Sequence, residues 1–232
     1  MSARQVDEDR QQGEFEVTEI AVASERQTAI RLLACIQAAG DANDAIRWGS
    51  DVVCVLHSQS RLQALDFWMR NPDYLANELL TEFETSGERG LLTIAQRIFD
   101  DREPDLRRLP MVRYLFGAFE PLDNALAILR AADLIRIKRE GVPGKIREHL
   151  YLLTSAGEDA LGRIAAAAPE LGWYRDRACI VARVAGEQGG KALKDRQYLQ
   201  AEYAGTELSH LIQPVTDRVL ARLAAILEGL GE

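Results

Sequence analysis

Residues 129–161, LRAADLIRIKREGVPGKIREHLYLLTSAGEDAL, constrain the fold more than any other stretch. The apolar period changes there within a few positions. Leu122, Leu126 and Leu129 recur at helical spacing, so the pattern predicts a helix over residues 119–132. From Leu134 the period becomes two, with Leu134, Ile135 and Ile137 as the apolar members of a strand. The turn GVPG then reverses the chain, and KIREHLYLL returns as the partner strand. Tyr151 and Leu153 alternate on it. Thr154 or Ser155 starts the next helix, with Ser155 and Glu158 at capping-box spacing. Gly157 lets the first turn of that helix pack closely. The expected fold is mainly α, with one small antiparallel hairpin projecting from a helical body.

The hairpin is basic. Arg136, Lys138, Arg139, Lys145 and Arg147 fall within a dozen residues, against Glu140 and Glu148. Arg136 and Lys138 share one strand face. Such a tip can follow a phosphate backbone or enter a minor groove. It can also meet an acidic protein, or be a solvated edge guarded by charge against strand pairing. The chain as a whole carries a net charge of −8. A protein devoted to holding phosphate backbone usually carries a basic excess, so any nucleic-acid contact is expected to be local.

Helix, strand, basic turn, strand and capped helix together form a winged helix-turn-helix. The run LRAADLI…REHLYLLTSAGEDAL resembles the corresponding part of bacterial winged-helix regulators of the MarR and PadR kind. It covers about 40 residues, or about 100 if residues 58–120 supply the preceding helices. The resemblance implies a recognition helix over 119–132, whose outward side chains should donate to bases and phosphates. Here they are Glu120, Asp123, Asn124, Ala127, Arg130 and Ala131, of which Asn124 and Arg130 fit. Carboxylates at a helix N-terminus suit its dipole but would face phosphate. A second, weaker resemblance joins RLQALDFWMRNPDYLANELL to RRLPMVRYLFGAFEPLDNALAILRAADLI. This pair is similar to small winged-helix accessory subunits of SMC-like or three-component ABC-ATPase systems, often found in phage or plasmid defence. Such subunits dock onto partners, which would accommodate an acidic chain with a basic wing.

A second basic group is Arg107, Arg108 and Arg113, followed by Tyr114, Phe116 and Phe119. These aromatics are expected in the core rather than as a stacking platform. His57, His149 and His210 have no metal-ligand spacing, and no H-E-x-x-H, C-x-x-C or G-x-S-x-G pattern is present. GVPGKI lacks the spacing of a phosphate loop. No catalytic residue, cofactor or metal is predicted. Cys35, Cys54 and Cys179 are expected as reduced, buried thiols.

Along the chain, residues 1–13 read as a disordered tail and 14–57 as a helical or extended segment. Within the latter, 15–24 alternates weakly, and 52–56 is ambiguous between strand and helix. Residues 58–168 read as the winged-helix domain and 169–232 as a helical interaction region, with GEQGG at 186–190 as a hinge. In that region Ile212, Thr216, Val219, Leu223, Ile226 and Leu230 alternate spacings of four and three, a heptad seam. The seam can form a homodimer, pack on a partner in a hetero-oligomer, or close the chain's own core. No apolar run approaches the roughly 20 residues of a membrane helix, so a cytoplasmic protein is expected. The functional expectation is a non-catalytic docking protein, an accessory subunit of a DNA-acting ATPase assembly. The alternative is a dimeric transcriptional regulator binding double-stranded DNA.

Overall fold

The computed structural model describes residues 24–115, 117–142 and 145–231; the side chains of Lys145 and Ile146 are not included. The expected tail, the weak strand before residue 24, Phe116 and the hairpin tip at Pro143 and Gly144 lie outside the described residues.

The first helix, α1 (Glu25–Ala39), is set by local chemistry. The Ser24 hydroxyl accepts from the Gln27 amide at 3.2 Å, and the Gln27 side chain accepts from the Ser24 amide at 3.1 Å. This is a reciprocal capping box. Leu32, Leu33 and Ile36 are buried, and α1 packs most extensively on three later helices: α3 (Gln59–Arg70), α7 (Asp123–Ala131) and α9 (Gly172–Ala185). A short helix α2 (Ala42–Ala45) leads into β1 (Val52–His57), so the ambiguous run is a strand.

That strand completes a three-stranded antiparallel sheet with β4 (Ile135–Val142) and β5 (Lys145–Thr154), in the order β1–β5–β4. The expected antiparallel hairpin is observed: Ile135 faces Leu153, Ile137 faces Tyr151 and Arg139 faces His149. On the other side of β5, Cys54 pairs with Leu153 and Leu56 with Tyr151. Period-two alternation gives the sheet two faces. Cys54, Leu56, Ile135, Tyr151 and Leu153 enter the main core. Val52, Val55, Leu150 and Leu152 form a second cluster under Ala45, with Trp48 packed against it.

α3 is buried almost all round from Leu62 to Arg70. One residue joins it to α4 (Pro72–Ser86). Asn71 is the N-cap of α4, but its side chain does not cap; its amide donates to the Phe67 carbonyl at 2.8 Å and satisfies the end of α3 instead. Helices α5 (Arg89–Asp100) and α6 (Glu103–Leu106) follow, with Pro104 in the first turn of α6 where a loop was expected. A small hairpin, β2 (Val112–Tyr114) and β3 (Gly117–Phe119), then precedes α7. The predicted helix over 119–132 therefore begins only at Asp123, after Pro121. Its buried stripe of Leu122, Leu126 and Leu129 is as expected.

α8 (Ser155–Ala167) is capped by Thr154, whose hydroxyl accepts from the Gly157 amide at 3.1 Å. A β-carbon at Gly157 would lie 2.2 Å from the Leu134 carbonyl oxygen, so this position admits no side chain without moving backbone. After α9 come α10 (Gly190–Gln197), α11 (Ala201–Gly205) and α12 (Thr216–Leu230). Asp73, fully buried in α4, accepts from the Val215 amide at 2.7 Å and the Thr216 hydroxyl at 3.2 Å, and so supplies the start of α12 from a distant helix. The main core contains residues from Ala29 to Leu223. Packing is continuous across positions 57/58 and 168/169, where the sequence suggested divisions. The fold is mainly helical with a small antiparallel sheet. Among the described residues, no helix is long and apolar enough to cross a membrane.

Candidate functional site

The basic hairpin is less uniform than its sequence. Arg136, near its base, donates to Asp51 at 2.5 Å and to Asp133 at 3.3 Å. Hydrogen bonding to Arg136 holds the Asp51 carboxyl below its ordinary value, and the two carboxylates push the guanidinium up. Its charge is used within the chain. Lys138, Arg139 and Arg147 are exposed. The register puts Arg139 and His149 on one face and Lys138 on the other, while Arg147 is the unpaired residue of a bulge between the Glu140–Glu148 and Gly141–Ile146 pairs. Lys145 pairs through its backbone with Val142 at the tip. Glu140 and Glu148 stand opposite each other, a repulsive arrangement. Arg47 lies 3.3 Å from Glu140 and offsets it, and His57 lies 3.4 Å from Glu148 and 2.8 Å from Asp44.

The helix α7 presents Asp123, Asn124, Ala127, Ile128, Arg130 and Ala131 outward. Asn124 donates to Glu25 at 3.1 Å, and Glu120, just before the helix, pairs with Arg70 at 3.0 Å. Arg130 is the one exposed cation on this helix. Ile128 is 39% exposed. Half of the face, Ala127, Ile128 and Ala131, is apolar, with a carboxylate at its N-terminal end.

The second basic group is dispersed. Arg108 donates to the Ile212 carbonyl at 2.7 Å. Arg113 donates to the Thr206 carbonyl and stacks on Tyr198 at 5.5 Å. Arg107 is exposed but lies over Trp173 at 4.5 Å. Arg108 and Arg113 therefore tie β2 and the preceding loop to the segment before α12.

The aromatic run differs from expectation. Tyr114 is 49% and Phe119 41% exposed, with ring centroids 5.6 Å apart. They stand on the β2–β3 hairpin, which is anchored from beneath. The Tyr203 hydroxyl accepts from the Ala118 amide at 2.6 Å. Gly117 has φ +106, and a β-carbon there would meet that hydroxyl at 2.5 Å, so the turn needs glycine. A core reading fails because the rings alternate outward on strands rather than facing in from a helix. The alternation of Val112, Tyr114 and Phe119 about a glycine was the available signal. The rings border a cavity of about 430 Å³ shared with Gln63, Arg147, His149 and Lys194.

The heptad residues are placed inward. Ile212, Val219 and Leu223 are buried in the chain's own core, Ile226 packs at its edge, and Leu230 is 39% exposed. Ile212 precedes α12 and sits beside an isolated bridge between Val112 and Leu211. The stripe closes α12 onto α4 and α5, and the residues expected to form an oligomer or partner helix are largely occupied.

Cys35 and Cys54 are buried as expected, whereas Cys179 is exposed. Burial pushes the Cys35 thiol up, and the Cys54 thiol up to about 12. Neither is a thiolate at neutral pH. Comparison with protein-family models, curated proteins and solved structures returned no match to this chain.

Proposed function

We propose that this chain is a winged-helix docking protein, an accessory subunit of a DNA-acting ATPase assembly of the SMC-like or ABC kind. The order of elements supports the winged-helix reading. α1, α3 and α7 form the three helices, β1 lies between the first two, and the β4–β5 hairpin follows the third. Residues 71–122 form an insertion between the second and third helices in place of a short turn.

The observation that carries the docking reading is the outward face of α7. Asp123, Ala127, Ile128 and Ala131 offer no donor to a base edge, Asn124 is turned to Glu25, and Arg130 is the one exposed cation, while Lys138, Arg139 and Arg147 stand exposed on the wing. Sequence readout needs donors on the helix that enters the major groove. Phosphate contact needs only cations that reach the backbone. The wing then holds duplex loosely, and the small apolar face of α7 suits a protein surface. A dimeric regulator requires a self-complementary interface, and the seam expected to supply it is packed into this chain's own core.

Amide chemical-shift mapping of the ¹⁵N-labelled chain with a duplex of arbitrary sequence tests this reading. Shifts are expected in the wing strands and absent over 123–131. Intermolecular contacts between base edges and α7 would overturn it.

A further inference from the structure

We propose that the cavity bordered by the β2–β3 hairpin, β5, α10 and the start of α3 binds a nucleotide. Its base lies against Tyr114 and Phe119 and its phosphate beside Arg147, Lys194 and the α3 N-terminus. This goes beyond the docking reading and does not depend on it.

Four observations converge. The cavity, about 430 Å³, falls within the size range of small-molecule sites. Its wall carries two half-exposed aromatic rings held in place by Tyr203 and Arg113. An exposed aromatic pair on a rigid hairpin is a surface on which a base can stack.

Gln63 supplies the third observation. It is 3% exposed and lines the cavity. Its amide nitrogen donates to the Glu120 carbonyl at 3.0 Å, which fixes the orientation of the group. Its oxygen has no hydrogen-bond partner among the described residues. A buried acceptor of this kind calls for a donor. Every common base carries an N–H on its Watson–Crick edge.

The fourth is electrostatic. Ser58 caps α3 by accepting from the Arg61 amide at 3.1 Å, and the Gln59 and Ser60 amides precede the first intrahelical bond. Such a terminus favours an anion. Arg147 and Lys194 border it, and burial pushes the Lys194 ammonium below its ordinary value. Glu148 also lines the cavity, with its carboxylate 3.4 Å from the His57 ring.

The nucleotide can arrive free or as one unit of a single strand, and titration calorimetry on the 232-residue chain separates the two. The probes are AMP, ribose 5-phosphate and a 5′-phosphorylated oligodeoxyadenylate. Saturable one-site binding is expected for AMP, the oligonucleotide or both. The tighter of the two names the source. Ribose 5-phosphate is expected to bind at least about tenfold more weakly, because it cannot stack. Tyr114→Ala and Arg147→Ala, both at exposed positions, are each expected to weaken binding about tenfold with unchanged thermal melting. Gln63→Met is expected to weaken it too, with melting as its folding control. Equal binding of ribose 5-phosphate and AMP, or no saturable binding at millimolar ligand, would overturn the assignment.

Discussion

Replacing Arg31 with methionine is expected to destabilise the chain by about 3–5 kcal/mol, the cost of leaving a buried carboxylate without its partner. Arg31 is 1% exposed and Asp66 is fully buried, with the guanidinium 2.5 Å from the carboxylate. Arg70 approaches Asp66 only to 3.8 Å. The pair joins α1 to α3, the helix whose N-terminus borders the aromatic cavity. Removing both charges together, as Arg31→Met with Asp66→Leu, is expected to recover most of the loss, because well-packed apolar side chains replace a buried ion pair at little net cost. Urea unfolding reads both values. A single variant within about 0.5 kcal/mol of the parent would mean that water reaches Asp66 and that the pair does not hold the two helices as described.

Reversing Lys138, Arg139 and Arg147 to glutamate is expected to reduce duplex affinity about a hundredfold at low salt. The slope of log affinity against log salt should fall by about three, close to one for each lost phosphate contact. The three side chains are exposed, so thermal melting should not change. Cations on both faces of a hairpin suit a tip that straddles a backbone, since whichever face turns toward the phosphates carries charge. Arg136→Ala provides the contrast. Its guanidinium is already held by Asp51 and Asp133, and its removal should leave the salt slope unchanged. Fluorescence anisotropy across a salt series measures both variants. Parent-like binding by the triple reversal would remove the wing from the interface.

The hairpin was legible because its information is local. A change of period from 3.6 to two, a glycine-bracketed turn and a capped helix start all lie within about thirty residues. The same holds for the Leu122, Leu126 and Leu129 stripe. What escaped was long-range. β1 is a strand because β5 receives it, and nothing near Val52 states that pairing. Arg136 reads as a free cation until the fold brings Asp51 beside it. Nothing near Arg31 states that α3 will cover it with Asp66. The heptad seam misled differently, because a three-and-four spacing describes a helix that buries one side without saying against what. Phe119 was drawn into the neighbouring helix by the strength of its leucine stripe, and Tyr114 into the core beside it, although Pro121 separates both from that helix.

Selection of random duplexes against the intact chain tests the docking reading most directly. The account expects the best sequence to bind within about tenfold of unselected DNA, since the wing reaches phosphates and α7 offers bases almost nothing. Enrichment of a sequence bound about 10³-fold or more tightly than random duplex would contradict it and make this chain a sequence-reading protein.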